Sequence, residues 1–466
     1  MKGRYDTVIV GAGSAGVVLA ARLSQDPDRQ VLLLEAGPDR TSSTSTSASF
    51  FGDLNEQGRT YADVVAERTK GATAKPYQLG RGVGGSSAVN AMIGMWGVAE
   101  DYDHWERDLG CTGWSWRDVE PVFAGLAIPL TQPAPHEWGA VDRALVEAAL
   151  LLGHAHCDDY LRGGALGAGP AWLTRANARR VSVDDAYLAP ARHRSNLTVR
   201  AGTAVERVLL DDHVAIGVHT VDGETIDAGE VVVSAGAIHS PLLLLRSGVD
   251  LPGVGCALKD HASARLVLHL REPGDSAGLA AATLLRWSSS IEHADLQLLP
   301  LNHVGSDEYG ALLVAVMSIH STGSIELTQG RPIVRLNMLD DERDRARLIE
   351  ATRHMALLAG SKPFQRISQA VLIDDIGTPL AALAEGDDEL EVWLSDNVGD
   401  YVHPGCSCRM GPVGDVRAVV DTTARVHGYT RLRVCDASIF PDLPRANTHL
   451  PTVMVAERIA AAIAAS

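Results

Sequence analysis

The sequence predicts two domains, one α/β and Rossmann-like, the other α+β with an antiparallel sheet backed by helices. Three observations lead there. Residues 5–37 read as strand, glycine loop, helix and strand, and residues 231–248 repeat the strand–glycine–helix order. Residues 262–339 hold the runs ARLVLHL, ADLQLLPL, GALLVAVMSI and RPIVRLNML, which read as antiparallel strands. A chain of 466 residues is also long for one core.

In the first stretch the apolar run Thr7–Val10 is a short buried strand leading into Gly11-Ala12-Gly13-Ser14-Ala15-Gly16, a G-x-G-x-x-G loop. Gly11 allows the tight turn, Gly13 lets backbone approach a pyrophosphate, and Gly16 lets helix and strand pack closely. Residues 17–23 read as helix, Asp26-Pro27-Asp28 as a turn, and Val31–Leu34 as a second strand ending at Glu35. The first helix amides suit a phosphate. Glu35, 19 residues after Gly16, suits a ribose hydroxyl. A glycine turn with no ligand is the bland alternative, but the ordered strand–loop–helix–strand context favours a dinucleotide. FAD and NAD both remain open on these residues.

A net charge of −17 with no basic block argues against nucleic acid or an anionic membrane as partner. Six cysteines over this length make no disulfide framework, so a reducing, cytoplasmic setting is expected. Lys2, Arg4 and the apolar run after them superficially resemble a signal peptide. The glycines that follow explain the run better as strand and turn. No uninterrupted apolar stretch reaches the ~20 residues of a membrane span.

Residues 41–49, TSSTSTSAS, are expected as an exposed polar loop. GRGVGGSSAVNAMIGMWG (80–97) is a second small-residue segment that suits close backbone packing against something flat or phosphorylated. Asp101 to Trp105 could be ordinary surface, and Trp114 to Phe123 reads as helix. From Asn196 the pattern is β, with turns at Asp211-Asp212 and Asp222-Gly223. After the strand Val231–Ser234 and the turn Ala235-Gly236-Ala237, Ser240-Pro241 is expected to open a helix with proline in its first turn. His239 there reads as a structural histidine. LPGVGCALKDH (251–261) is a turn-rich return, Ser321-Thr322-Gly323 a turn, and 340–360 a helix with acidic residues at its start.

The last seventy or so residues hold VHPGCSCRMG (402–411) and VCDASIFPDLPRANTHLPTVMVAERIA (434–460). Together with the opening loop and Glu35, GRGVGGSSAVNAM, SAGAIHSPLLLLRSG and LPGVGCALKDH, in that order, this chain resembles the glucose–methanol–choline (GMC) flavin oxidoreductases over nearly its whole length. The resemblance selects FAD. It implies a discontinuous FAD-binding domain (1–120, 180–262 and 400–466) interleaved with a substrate domain (121–179 and 263–399). It also implies the cofactor contacts. Gly11, Gly13, Ser14, Ala15, Gly16, Glu35 and Ala36 belong to the N-terminal unit. Arg81, Gly84, Gly85, Ser86, Asn90, Ala91, Met92 and Ile93 belong to the second glycine-rich segment, with Asn90 beside the isoalloxazine. Val205 meets the adenine through its backbone, and Ala235 follows in the middle unit. Asp436 and Ala437 lie at the pyrophosphate, and His449, Leu450 and Thr452 complete the set. Some relatives attach FAD through a histidine where this chain has Val89, so FAD is expected to be non-covalent.

The same resemblance puts His403 at the family's catalytic histidine and His449 at a second active-site position, which is His or Asn in relatives. Alone, His403 would read as a surface or structural histidine. A metal site with Cys406 and Cys408 is disfavoured, since no second ligand pair stands at usual spacing. Alcohol oxidation needs a group that takes the hydroxyl proton while a hydride passes to flavin N5. Histidine titrates near neutrality, so a base in that range is expected, with a second histidine donating to the developing alkoxide. His403-Pro-Gly-Cys-Ser-Cys departs from the commoner His-Pro-Val-Gly-Thr form. The expected activity is FAD-dependent oxidation of a small-molecule alcohol to a carbonyl, with oxygen or another acceptor taking the electrons. The C-terminal motif resembles the aryl-alcohol and hydroxymethylfurfural oxidase branch, and the short length resembles the mycofactocin-associated dehydrogenases. A non-redox FAD lyase and a FAD-binding protein without turnover are the other readings.

Overall fold

The computed structural model describes residues 5–39, 54, 56–275, 278–383 and 386–465. The polar stretch 41–49 lies outside them. The apolar run after Asp6 forms the strand Tyr5–Val10, which pairs in parallel with Val31–Leu34 on one side and Thr225–Val233 on the other. Leu197–Arg200 extends the parallel sheet at one edge, and Leu432–Val434 pairs with Thr225–Val233. A meander of Val205–Asp211 and Val214–Thr220 adds two antiparallel strands to the first half of Thr225–Val233. This seven-stranded sheet therefore draws strands from both ends and the middle of the chain.

Strands β-rich in Val and Leu are buried on both faces because helices cover them. The helix Ser14–Leu23 lies against the C-terminal helix His449–Ala464, and Arg22 donates twice to Glu457 at 2.8 Å. The helix after the middle strand starts at Gly236, four residues before the expected Ser240. Pro241 therefore sits inside it and leaves the Ala237 carbonyl without its helical donor; the Ser407 hydroxyl donates to that oxygen at 2.5 Å.

The second sheet is antiparallel with six strands, in the order Ser368–Leu372, Ser263–Leu270, Tyr309–Val316, Leu296–Leu301, Thr283–Trp287 and Gly167–Pro170. The helix Glu342–Ala359, capped by Asp341, packs its Leu348, Ala351 and Met355 into the core on this sheet. Gly323 opens the strand Gly323–Thr328, where the sequence suggested a turn. Two further expectations change. The boundary expected at residue 120 cuts the helix Trp116–Ala124, whose Val119 and Phe123 belong to the core of the first sheet. Tyr102 and Trp105 are fully buried in that core, on the helix Ala99–Arg107. Among the described residues no helix is long and apolar enough to cross a membrane.

Candidate active site

A single large cavity of about 1290 Å³ runs from the glycine loop, past the second glycine-rich segment, to the exposed edge of the antiparallel sheet. Its first end is built by backbone. Gly11 has a φ of +104°, and a Cβ there would overlap the Ser234 carbonyl; a Cβ at Gly16 would overlap the Gly11 carbonyl oxygen. These two glycines permit the strand, loop and helix to pack. Gly13 is different: its φ is −82° and a Cβ would meet nothing of the chain within 4 Å, since it would project into the cavity. The Glu35 carboxylate, buried beside it, accepts from the amides of Ala12 at 2.9 Å, Gly37 at 2.8 Å and Gly82 at 3.1 Å. One acidic side chain thus ties the first glycine loop to the second.

The second segment turns at Gly84 into a short 3₁₀ helix, Gly85–Ala88, and Gly85 sits so close to the Gly13 Cα that a Cβ would clash. Asn90 turns its Oδ1 to the Met92 amide at 3.0 Å and to Arg180 Nη1 at 2.7 Å, holding Met92 in a left-handed conformation at the cavity wall. Asp436 caps its own turn and accepts from the Gly236 amide at 2.8 Å and the Ser240 hydroxyl at 2.6 Å, which joins the C-terminal block to the middle βα unit.

His403 lines the same cavity. Its backbone amide donates to Asp260 Oδ1 at 2.9 Å, and Tyr77 donates to Asp260 Oδ2 at 2.6 Å. Next to it, Gly405 and Lys259 exchange both backbone bonds at 3.0 and 3.1 Å. The unusual Gly405-Cys406 pair therefore fits a local two-stranded bridge, with Cys406 in a left-handed conformation and its amide on Ala437 O. His403 Nε2 lies 3.5 Å from Asn447 Nδ2, and Nδ1 lies 2.9 Å from His261 Nδ1. Gln297 Nε2 donates to Asn447 Oδ1 at 3.3 Å and to the Tyr401 hydroxyl at 3.1 Å. The loop bearing Asn447 is anchored by Arg445, whose amide and Nε donate to Asp101 at 2.7 and 2.8 Å. Burial pushes His403 down to about 3 and also lowers His449, the latter helped by Arg180, so both rings are neutral.

Most expected contact residues reach the cavity: Gly11, Gly13, Ser14, Ala15, Glu35, Ala36, Gly85, Ser86, Asn90, Ala91, Met92, Ile93, Val205, Ala235, Asp436, Ala437, Thr452 and both histidines. Four do not line it. Gly16 is used in packing; Arg81 turns its Nη2 to the Ala36 carbonyl at 3.1 Å and its guanidinium over Tyr61; Gly84 donates to the Ala12 carbonyl; Leu450 is fully buried in the core. His449 lines the cavity at the glycine loop. It is the first residue of the C-terminal helix, and its Nδ1 lies 3.2 Å from Ser14 Oγ at the glycine loop. The residue beside His403 is Asn447, two positions earlier. Sequence reasoning also passed over Gln297, Tyr401 and His261. His239 lines the wall as well, its ring 4.4 Å from that of Tyr61.

The shape fits a bound dinucleotide. Gly13 leaves open space where a pyrophosphate would lie, helix amides face it, and the buried Nε2 of His449 lacks a protein partner. The comparisons with known proteins agree. The GMC oxidoreductase N-terminal and C-terminal family models match residues 5–263 and 320–456. The chain is 33% identical to a 5-(hydroxymethyl)furfural oxidase of Methylovorus sp., over 98% of each chain. It is 30% identical to an oxygen-dependent choline dehydrogenase of Vibrio vulnificus, over 99% of this chain and 94% of that one. The structure of pyridoxine 4-oxidase from Mesorbium loti superposes with a TM-score of 0.90 at 27% identity, covering 99% of this chain and all of that one. With both halves of the fold and the cavity between its glycine loops and His403 accounted for, the chain belongs to the GMC oxidoreductase family, as an FAD-dependent enzyme acting on CH–OH groups.

Proposed function

We propose that His403 is the base and Asn447 the hydrogen-bond donor in oxidation of an uncharged alcohol carried on an apolar wall. The observation that carries this reading is the 3.5 Å pairing of His403 Nε2 with Asn447 Nδ2 at the cavity. An alcohol oxygen beside both atoms donates its proton to Nε2 and accepts from Nδ2. Bound FAD supplies the hydride acceptor. Asn447 stabilises negative charge that develops on the oxygen as its proton leaves, and Gln297 holds the amide in the donating orientation. Arg445 and Asp101 support that position from behind.

The wall for the rest of the substrate is read from the sheet register. Leu299 faces Leu313 across one pair of strands, Leu301 and Val267 flank Ala311, and Val267 pairs with Leu372. Leu299, Leu301, Leu313, Val267 and Leu372 all line the cavity, while Asp375 at its edge is paired with Arg265 at 2.6 Å. Such a wall favours an aromatic or aliphatic body, and the largely buried carboxylate that also lines the cavity, Asp400, is already paired with Arg68. An anaerobic panel tests it: aromatic and aliphatic primary alcohols should bleach the flavin, and choline should leave it yellow. Bleaching by choline alone would refute the substrate reading.

Two further results are expected. Val89 is buried at the cavity wall and offers no attachment atom, so acid precipitation should leave FAD in the supernatant. Flavin that sediments with the polypeptide would contradict non-covalent binding. Asn447→Ala should lower the limiting rate of flavin reduction by about 10²–10³-fold, the effect of losing one donor to a developing oxyanion. His449→Asn should be mild. The reverse order in stopped-flow reduction would return the second position to His449.

A further inference from the structure

His403 has two ring nitrogens, and the donors and acceptors around them bear on where its proton sits. With the Gln297 NH₂ set on the Asn447 carbonyl oxygen, the Asn447 NH₂ faces His403 Nε2. Nε2 therefore accepts and carries no proton. The proton of the neutral ring is on Nδ1, 2.9 Å from His261 Nδ1. His261 Nδ1 must then be the acceptor, with its own proton on Nε2. That buried Nε2 has no hydrogen-bonded partner among the described residues; burial lowers the ring's proton affinity, partly offset by the Met317 and Pro444 backbone.

We propose that His261 is a positioning residue for the proposed base, an uncharged acceptor that holds His403 in the Nδ1–H tautomer and supports the cation formed when Nε2 takes a proton. The proposal rests on His403 being the base. Protonating Nε2 makes His403 an imidazolium in a site where burial disfavours charge. Its Nδ1–H then points at a bare imidazole nitrogen, so the bond to His261 becomes charge-assisted and shortens the gap between neutral and charged forms. The arrangement differs from an acid behind a histidine, because the nearby carboxyl group, Asp260, is engaged by the His403 amide and the Tyr77 hydroxyl instead of by the ring. No proton leaves the pair in this role: His261 keeps its Nε2 proton and His403 keeps its Nδ1 proton throughout.

Two variants of the FAD-loaded enzyme separate positioning from packing. His261→Leu removes the acceptor, and the limiting rate of flavin reduction should fall about 10- to 100-fold, the worth of a hydrogen bond to a charged group, with alcohol affinity and FAD content retained. His261→Asn places an oxygen acceptor near the Nδ1 position and should recover most of that rate. Equal losses in both variants, or no loss in the Leu variant, would overturn the proposal. A readout on the unaltered holoenzyme stands apart from folding of any variant. With ¹⁵N-histidine labelling, a through-hydrogen-bond coupling should link two imidazole nitrogens, with the His403 partner protonated, and it should vanish in His403→Ala. Absence of that coupling, or a His403 proton on Nε2, would also overturn it. Wild-type reduction by His403→Ala would instead refute the base itself, a result distinct from failure at His261.

Discussion

His403→Ala should slow flavin reduction about 10²–10⁴-fold at saturating alcohol while FAD stays bound, the range for loss of a general base. At about 1.36 kcal/mol per tenfold, that is ~3–5 kcal/mol of barrier. FAD should be retained because the backbone at His403 is held by Asp260 through an amide that alanine keeps. Only the neutral ring can take a proton, and burial pushes its ionisation down to about 3. Activity from this group would therefore be lost only as pH falls toward that value, and the limiting rate should stay flat through the neutral range. This replaces the near-neutral titration expected of an ordinary histidine. Stopped-flow reduction of wild type and variant across pH is the measurement. A variant that reduces at the wild-type rate would place the base elsewhere, and a neutral-range step that persists in it would belong to another group.

Gly13→Val should abolish FAD binding in a folded protein. The position suits the test, because its φ of −82° is open to any residue and a Cβ there meets no atom of the chain within 4 Å. The branched side chain would instead fill the space beside the first amides of the helix Ser14–Leu23. Loss of two hydrogen bonds to charged phosphate oxygens, at ~1.5–3 kcal/mol each, weakens binding by roughly 10²–10⁴-fold. Flavin absorbance after purification, alongside circular dichroism to show the fold, decides the matter. Gly16→Val should behave differently and fail to fold, since its Cβ would overlap the Gly11 carbonyl. A normally flavinated Gly13→Val would show that the loop does not hold the cofactor.

The nucleotide-binding unit was legible in the sequence because its constraints are local. Gly11, Gly13 and Gly16 act within one turn of chain, and alternation of apolar strands with helices specifies the parallel sheet regardless of what lies far away. Even Glu35 sits at a spacing set by one βαβ unit. The residue beside His403 was not legible in the same way. Asn447 and His449 lie two residues apart in one motif, and either could meet His403 as far as sequence spacing goes. Their separation is decided by distant partners: Asp101 clamps Arg445, Gln297 from the other sheet turns Asn447, and the start of the C-terminal helix carries His449 to Ser14. Likewise no local pattern links His261 to His403 across 142 positions, or foretells that the His261 ring is fully buried while His403 lines the cavity. The sequence by itself determined the family and the cofactor-binding architecture, and singled out His403 as the base to be tested. Tertiary structure alone decided that histidine's neighbours and its lowered proton affinity, because desolvation and hydrogen-bond partners depend on which remote segments close around a ring.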